Sequence, residues 1–312
     1  MAKLGYLLPT RERVMEGHPE TGPLLALAEK AEELGFDSIW VGDSLTARPR
    51  HEPLTLLAAI AGRARKAELG TAVLLPALRN PVLLAHQAAT LDRLCEGRLI
   101  LGIGIAADTP SIRRDFDATG VPFDRRVGRM NEAMQLCRAL WAGEPVEWTG
   151  LWTVKQGAVG PTPHRPGGPP IWYGGFLPAG RARTGRLYDG WFPSQPKPEE
   201  YAAYLEEVRS AARAGGRDPS AITAAIYLIL AIDDDPKRAD AKMDDHLVRY
   251  YSMPAAVTRN RERCFAGTEA GAAAWIKSYA DAGATHIVLR FAGDNERHLD
   301  TAARIRRDLG WS

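Results

Sequence analysis

The chain has 312 residues, of which 45% are hydrophobic and 25% charged, an ordinary globular balance with ample apolar material for a core. Its 40 basic and 38 acidic residues leave a formal net charge of +2, so nothing electrostatic calls for nucleic acid or an anionic membrane as a partner. No apolar run approaches the roughly 20 residues of a membrane span and no signal peptide is visible. Cys95, Cys137 and Cys264 are odd in number and far apart, and read as reduced thiols of a cytoplasmic protein.

In chain order, Lys3 to Leu8 predicts a first strand ended by Pro9, followed by charged, glycine-containing sequence to Gly22. Leu24, Leu27, Ala28, Ala31 and Leu34 make one face of a helix from Pro23 that Gly35 caps. Ser38 to Val41 is a second strand, and Pro53 to Lys66 a helix with proline in its first turn. Leu69 to Leu75 is a short apolar run stopped by Pro76. A helix over Val82 to Leu94 and a second apolar run, Arg98 to Ile105, follow it. Two such runs joined by one helix read as parallel strands buried on both faces.

After Ile105 the pattern loosens to Arg125, and a helix over Arg126 to Trp141 restores it. Trp148 to Val154 predicts a small hairpin turning near Gly150, and residues 157 to 170 form a proline- and glycine-rich loop. The fifth strand is Ile171 to Tyr173, ended by Gly174 and Gly175. A helix over Pro178 to Leu187, a sixth strand over Asp189 to Phe192 and a helix over Glu199 to Ala214 come next. Ile222 to Ile232 is the seventh strand. Asp233 to Pro236 starts a helix that runs to residue 251, and Ser252 to Gly267 is an insertion without a clean period. A helix over Thr268 to Ala282, an eighth strand over Thr285 to Phe291 and a helix over Asn295 to Leu309 close the chain.

Eight strands, each followed by a helix, predict one (β/α)8 barrel over residues 1–312, with insertions after strands four and seven. Gly102 and Gly104 lack the third glycine of a dinucleotide-binding turn, which argues against a doubly wound sheet. In such a barrel, function gathers at the C-terminal strand ends. Asp43 and Ser44, which end strand two, and Asp108, which follows strand four, are the candidate catalytic residues. At Gly174 and Gly175, bare backbone before a helix suits a phosphate as well as it suits a tight turn, with Ser194 and Lys197 one strand over. The barrel mouth is expected to be apolar and aromatic, from Trp40, Leu75, Tyr173, Trp191 and Phe291. The histidines show no metal-binding spacing, Asp233 to Asp235 read better as a helix cap than as a metal cluster, and no metal is expected. Neither a nucleophile elbow nor a phosphate-binding P-loop is present.

Several short stretches, in this order and spacing, resemble the bacterial luciferase-like flavin oxidoreductases. They include Leu34 to Val41, Leu69 to Val73, Asn80 and Pro81, Gln87 to Asp92, and Gly97 to Gly104. Gly120 to Phe123, Arg165 to Gly175, Asp189 to Phe192 and Ala282 to Val288 complete the set. The resemblance implies a barrel that binds reduced FMN or the deazaflavin F420 at the strand ends. The ring would lie against a cis peptide at Ala72 and Val73, with the phosphate near Tyr173, Gly174, Gly175, Ser194 and Lys197. Many F420-dependent members carry Asp-His where this chain has Asp43 and Ser44, and some carry a glutamate where it has Ala107 beside Asp108. These departures neither exclude F420 nor establish FMN; from the motif order and the apolar, aromatic mouth, the first expectation is a monooxygenase acting with O2 on a small organic substrate and using reduced FMN that a flavin reductase supplies. The alternatives are an F420-dependent reductase or dehydrogenase, served by an F420-reducing enzyme, and a non-catalytic flavin-binding barrel. Members of the family often dimerise near the second and third units, and the apolar residues of Pro81 to Leu94 permit a homodimer.

Overall fold

The computed structural model describes residues 1–311. The chain groups into two compact units, Met1–Trp40 with Trp172–Ser312, and Val41–Ile171, and both boundaries fall inside strands.

In the first unit, β1 (Lys3–Leu7) pairs in parallel with β2 (Ser38–Val41) on one side and β11 (His286–Phe291) on the other. The long β9 (Thr223–Ile232) lies next to β11, and β8 (Gly190–Trp191) joins it to β7 (Ile171–Tyr173). Between these strands run α1 (Thr10–Met15), α2 (Gly22–Glu33), α7 (Pro178–Leu187), α8 (Pro198–Ala214), α9 (Pro236–Tyr251), α11 (Glu269–Asp281) and α12 (Asn295–Asp308). The expected irregular insertion after strand seven is ordered. It contains α10 (Ala255–Arg261) and a further strand, β10 (Cys264–Gly267), which pairs in parallel with the last four residues of β9. Arg259 fixes it by pairing with Asp240 and Asp244 of α9. Its seven-residue helix is too short to show a 3.6-residue period, which is why the sequence pattern misses it.

One face of this sheet is packed by Trp40, Trp172, Phe192 and His286, with ring centroids 4.9–6.0 Å apart. Trp40 Nε1 donates to Ser38 Oγ at 2.6 Å, and the same hydroxyl lies 2.7 Å from His286 Nε2. Gly5 is required here, because a Cβ on it would stand 2.4 Å from Ser38 Oγ and 2.7 Å from Trp40 Nε1.

In the second unit, β3 (Glu68–Thr71) pairs with β4 (Leu99–Ile103), and α3 (Pro53–Ala61), α4 (Pro81–Leu94), α5 (Pro110–Ala118) and α6 (Arg126–Trp141) surround them. The hairpin is β5 (Val146–Thr149) with β6 (Thr153–Gly157). Strand three is shorter than its apolar run. The ladder is interrupted over Ala72 and Val73, whose peptide is cis, and resumes at Leu74, which pairs with Ile103. Asn80 caps α4 by accepting from Val82 and Leu83 N–H, and α6 packs on α4 through Trp141 Nε1 donating to the Ala85 carbonyl.

Burial lowers three histidines, His246, His286 and His298, and the first two move furthest. Burial pushes His286 down to about 3, aided by Lys3, and burial with Arg290 and Arg249 does the same to His246. Unfolded, both would titrate near 6.5. As pH falls below that value the unfolded state takes the protons first, so native stability declines toward pH 3 by about 1.4 kcal/mol per pH unit for each histidine. Urea midpoints are expected to hold steady above about pH 7 and to fall between about pH 6.5 and 5, above the carboxylate range. A flat profile over that interval contradicts the assignment.

Candidate active site

Within the second unit, Asp43 follows β2 immediately, and its side chain is 2% exposed. Its Oδ2 accepts from Leu75 N–H at 2.9 Å and Arg79 Nη1 at 2.6 Å, and its Oδ1 accepts from Arg79 Nη2 at 3.0 Å. Arg79 also reaches Glu52, whose carboxylate caps α3 through Thr55 N–H. Asp43 thus ties the end of β2 to the segment that follows β3. It does not cap its own loop.

Ser44 is turned into its own loop. Its Oγ accepts from Arg48 N–H at 3.0 Å and sits 3.5 Å from Asp115. Asp115, fully buried on α5, accepts from Thr46 N–H, the Thr46 hydroxyl and Ala47 N–H. Asp108 is half exposed and paired with Arg113 at 2.7 and 2.9 Å, and those hydrogen bonds hold its carboxyl below the usual range. Ala106, just after β4, takes a left-handed φ of 62°, a conformation that costs a non-glycine residue about 1 kcal/mol.

Ala72 and Val73 are half-buried among buried neighbours. A Cβ on Gly104 would meet Val73 Cγ2 at 2.6 Å, and beside Gly42 stands the Arg50 guanidinium, whose Nη1 would lie 2.3 Å from an added Cβ, with the Ala72 carbonyl at 3.5 Å. Ala72 and Val73 thus form a short, half-buried stretch of backbone at the end of β3 with Arg50 near it.

Within the first unit, Gly174 and Gly175 lead from β7 into α7 and are half-buried. Trp191 Nε1 donates to the Gly175 carbonyl at 2.9 Å, and a Cβ on Gly180 would come within 3.0 Å of Gly175 backbone. Tyr173 is buried against Tyr188, and its hydroxyl accepts from Arg183 Nη1 at 3.1 Å. The Ser194 carbonyl accepts from Arg263 N–H. Lys197 begins α8, its N–H bonds the Glu200 carboxylate, and it lines a cleft of about 320 Å³ with Glu262, Arg263 and Trp275.

Of the residues expected at an aromatic mouth, Phe291 borders a cavity of about 830 Å³, and all of them are held in packing. Trp40 lies in the aromatic packing described above, Trp191 stacks on Tyr201, and Phe291 stacks on Tyr6 and His298. These side chains and Leu75 are all buried. Successive strand residues alternate faces, so a residue at a strand end faces the helices as often as the opening.

The polar centre of this unit is one that the sequence reading did not assemble. Arg290, on β11 and 3% exposed, forms an ion pair with Glu12 of α1, Nε donating to Oε1 at 3.0 Å. Its guanidinium lies 3.3 Å from the centre of the Tyr250 ring, and Nη1 donates to the Tyr227 hydroxyl at 3.5 Å. Burial alone would raise the Glu12 carboxyl; Arg290 with His246 outweighs it, and the net shift is downward. Glu12, His246 and Tyr250 also line a cavity of about 830 Å³ with Phe291, Asp294 and Asn295. The available signal was Arg290 itself, a lone charge in an otherwise apolar strand.

A family model described as luciferase-like monooxygenase matches residues 2–311, and the chain belongs to that family. It is 34% identical over 278 residues to a phthiodiolone/phenolphthiodiolone dimycocerosates ketoreductase of Mycobacterium sp. (strain JLS), covering 79% of this chain and 72% of the relative. It is 30% identical to an F420-dependent glucose-6-phosphate dehydrogenase of Nocardia farcinica (strain IFM 10152), over 92% of both chains. Among solved structures, an F420-dependent secondary alcohol dehydrogenase in complex with an F420-acetone adduct superimposes with a TM-score of 0.83 at 19% identity, over 97% of this chain and 98% of that one. The fold is accordingly the expected eight-stranded parallel α/β barrel, and the protein is an oxidoreductase. Among the described residues, no helix is long and apolar enough to cross a membrane.

The Asp43–Arg79 pair gives a direct test of this geometry. Asp43→Asn leaves the Arg79 guanidinium with only the half-exposed Glu52 as counter-charge and is expected to lower unfolding stability by about 2–3 kcal/mol in urea. Ser44→Ala is expected to cost less than about 1 kcal/mol. Equal, small losses for both would show that Asp43 does not hold the loop.

Proposed function

We propose that this protein is an F420-dependent oxidoreductase that moves a hydride between the deazaflavin and the carbonyl or alcohol carbon of a small organic substrate, without O2. The observation that carries the reading is the likeness to an F420-dependent dehydrogenase over 92% of both chains. That likeness favours hydride transfer over the reduced-FMN monooxygenase that the sequence put first, and an F420-reducing enzyme is proposed with it as supplier.

The residues fit such a cofactor. Ala72 and Val73 offer a short stretch of backbone to a ring, with Gly104 leaving room for the Val73 side chain and Gly42 for the Arg50 guanidinium. Gly174 and Gly175 offer backbone N–H groups to a phosphate, with Ser194 and Lys197 as further donors. Tyr173 packs on that turn, its ring 2.1 Å from where a Cβ on Gly175 would stand. Reduced F420 supplies a hydride when bound. The chain's own task is to hold the ring, exclude water and manage the proton. Asp43 serves as a positioning residue for the Ala72–Val73 stretch, and Ser44 and Asp108 hold the loops on either side. We further propose a homodimer through α4, where Leu83 and Leu94 stand exposed at 63% and 57%.

Titration of the purified protein should give a micromolar or tighter dissociation constant for F420 and at least about 100-fold weaker binding of reduced FMN. Gly104→Ala, which pushes on Val73, should weaken F420 by about tenfold or more. Preference for reduced FMN, with a peroxyflavin spectrum in air, contradicts the reading.

A further inference from the structure

Within the first unit, α1, α9 and the start of α12 enclose the cavity of about 830 Å³ that Glu12 and His246 border. A space of that size takes a small organic molecule. Its wall mixes apolar surface, from Met15, Pro23, Leu27 and Phe291, with ionisable side chains.

The charges on this wall are unevenly matched. Lys242 is engaged by Asp233, Arg249 by Asp245 and Arg13 by Glu20. Glu16, Asp294 and Glu296 form no ion pair among the described residues. Glu12 gives its Oε1 to Arg290, and among the described residues no hydrogen bond engages its Oε2. Burial alone would raise this carboxyl, but Arg290 outweighs it and keeps Glu12 ionised at neutral pH. The N-terminus of α12 also opens here. Its partial positive charge is already met by the Asp294 cap, which accepts from Arg297 N–H, and by Glu296 in the first turn. The wall therefore favours a cation.

His246 points to the same ligand. It is 8% exposed, and its Nε2 is buried without a hydrogen-bond partner, which a buried polar atom ordinarily has. Burial, with Arg290 and Arg249 nearby, pushes the imidazole down to about 3, so at neutral pH one ring nitrogen keeps a lone pair. With the proton on Nδ1, Nε2 accepts. The ring is fixed by stacking on Tyr250, with centroids 5.7 Å apart and planes at 13°. Arg13 Nε is also buried without a hydrogen bond, but it belongs to the guanidinium already paired with Glu20.

We propose that this cavity binds a small primary amine with an apolar body, its ammonium donating to Glu12 Oε2 and His246 Nε2 and its body resting on Met15, Leu27 and Phe291. An ammonium brings three donors and one positive charge, so one donor remains for the carboxylates at the rim. A ligand carboxylate would instead meet Glu12 and the acidic rim. The site lies wholly within this unit and stands whether or not F420 is the cofactor.

Titration calorimetry of the whole protein at neutral pH, with benzylamine, benzyl alcohol and benzoate as probes, tests the assignment. Benzylamine should bind with a submillimolar dissociation constant, benzyl alcohol about tenfold or more weakly, and benzoate not measurably. His246→Phe keeps a ring against Tyr250 and removes the acceptor, and should weaken benzylamine by about tenfold or more. Ala26→Trp, on the exposed side of α2 that borders the cavity, should fill it and abolish binding. Thermal melting shows whether each variant is folded, and if His246→Phe is not, Ala26→Trp decides. Absent benzylamine binding overturns the proposal, as does binding of benzyl alcohol or benzoate as tight as that of benzylamine. An affinity for benzylamine that is unchanged in either folded variant overturns it too.

Discussion

Arg290 carries a permanent positive charge at a place where it is 3% exposed, and removing a guanidinium from water costs several kcal/mol unless other groups replace the lost hydration. Glu12 supplies the counter-charge, the Tyr250 ring covers one face, and the Tyr227 oxygen takes a remaining N–H. These partners come from α1, α9 and β9. The single cation therefore fixes the first turn after β1, the end of the helix after β9 and the phenol beside it. Removing Glu12 would leave the charge buried and unpaired, which is far more costly than never having had the pair.

The second unit solves a similar problem with the signs exchanged. There a buried carboxylate, Asp43, is matched by Arg79 and the Leu75 N–H. The chain from Ala72 to Arg79 is drawn against the end of β2, and the half-buried stretch at Ala72 and Val73 is held at its outer end. Gly104 leaves room for the Val73 side chain, and Gly42 for the Arg50 guanidinium near the Ala72 carbonyl. Both units thus hold backbone in place around a buried ion pair.

Much of the fold was legible because strand and helix periods are strong signals in long elements. Ile171–Tyr173 and Pro178–Leu187 were placed to the residue, and most helices within one or two. The losses were short or polar elements. Thr10–Met15, Pro110–Ala118 and Ala255–Arg261 have at most nine residues each, and their apolar faces cover too little to show. β10 pairs along one side of β9 only, so it never needed a full apolar run. The candidate site was half legible. The glycines near Ala72 and Val73 and those of the Gly174–Gly175 turn could be read from sequence, because backbone requirements leave a residue-specific mark. The Glu12–Arg290–Tyr227 centre could not, since its members lie 278 and 63 residues apart in the chain and only folding joins them.

The central claim is that electrons travel as a hydride and that dioxygen takes no part. The most direct measurement follows the oxidation of reduced F420 at 420 nm with a carbonyl substrate, in anaerobic and air-saturated buffer, while an electrode records O2. The account predicts equal rates, one alcohol formed per F420 oxidised and no O2 consumed. Turnover that requires reduced FMN and consumes one O2 per product would contradict it.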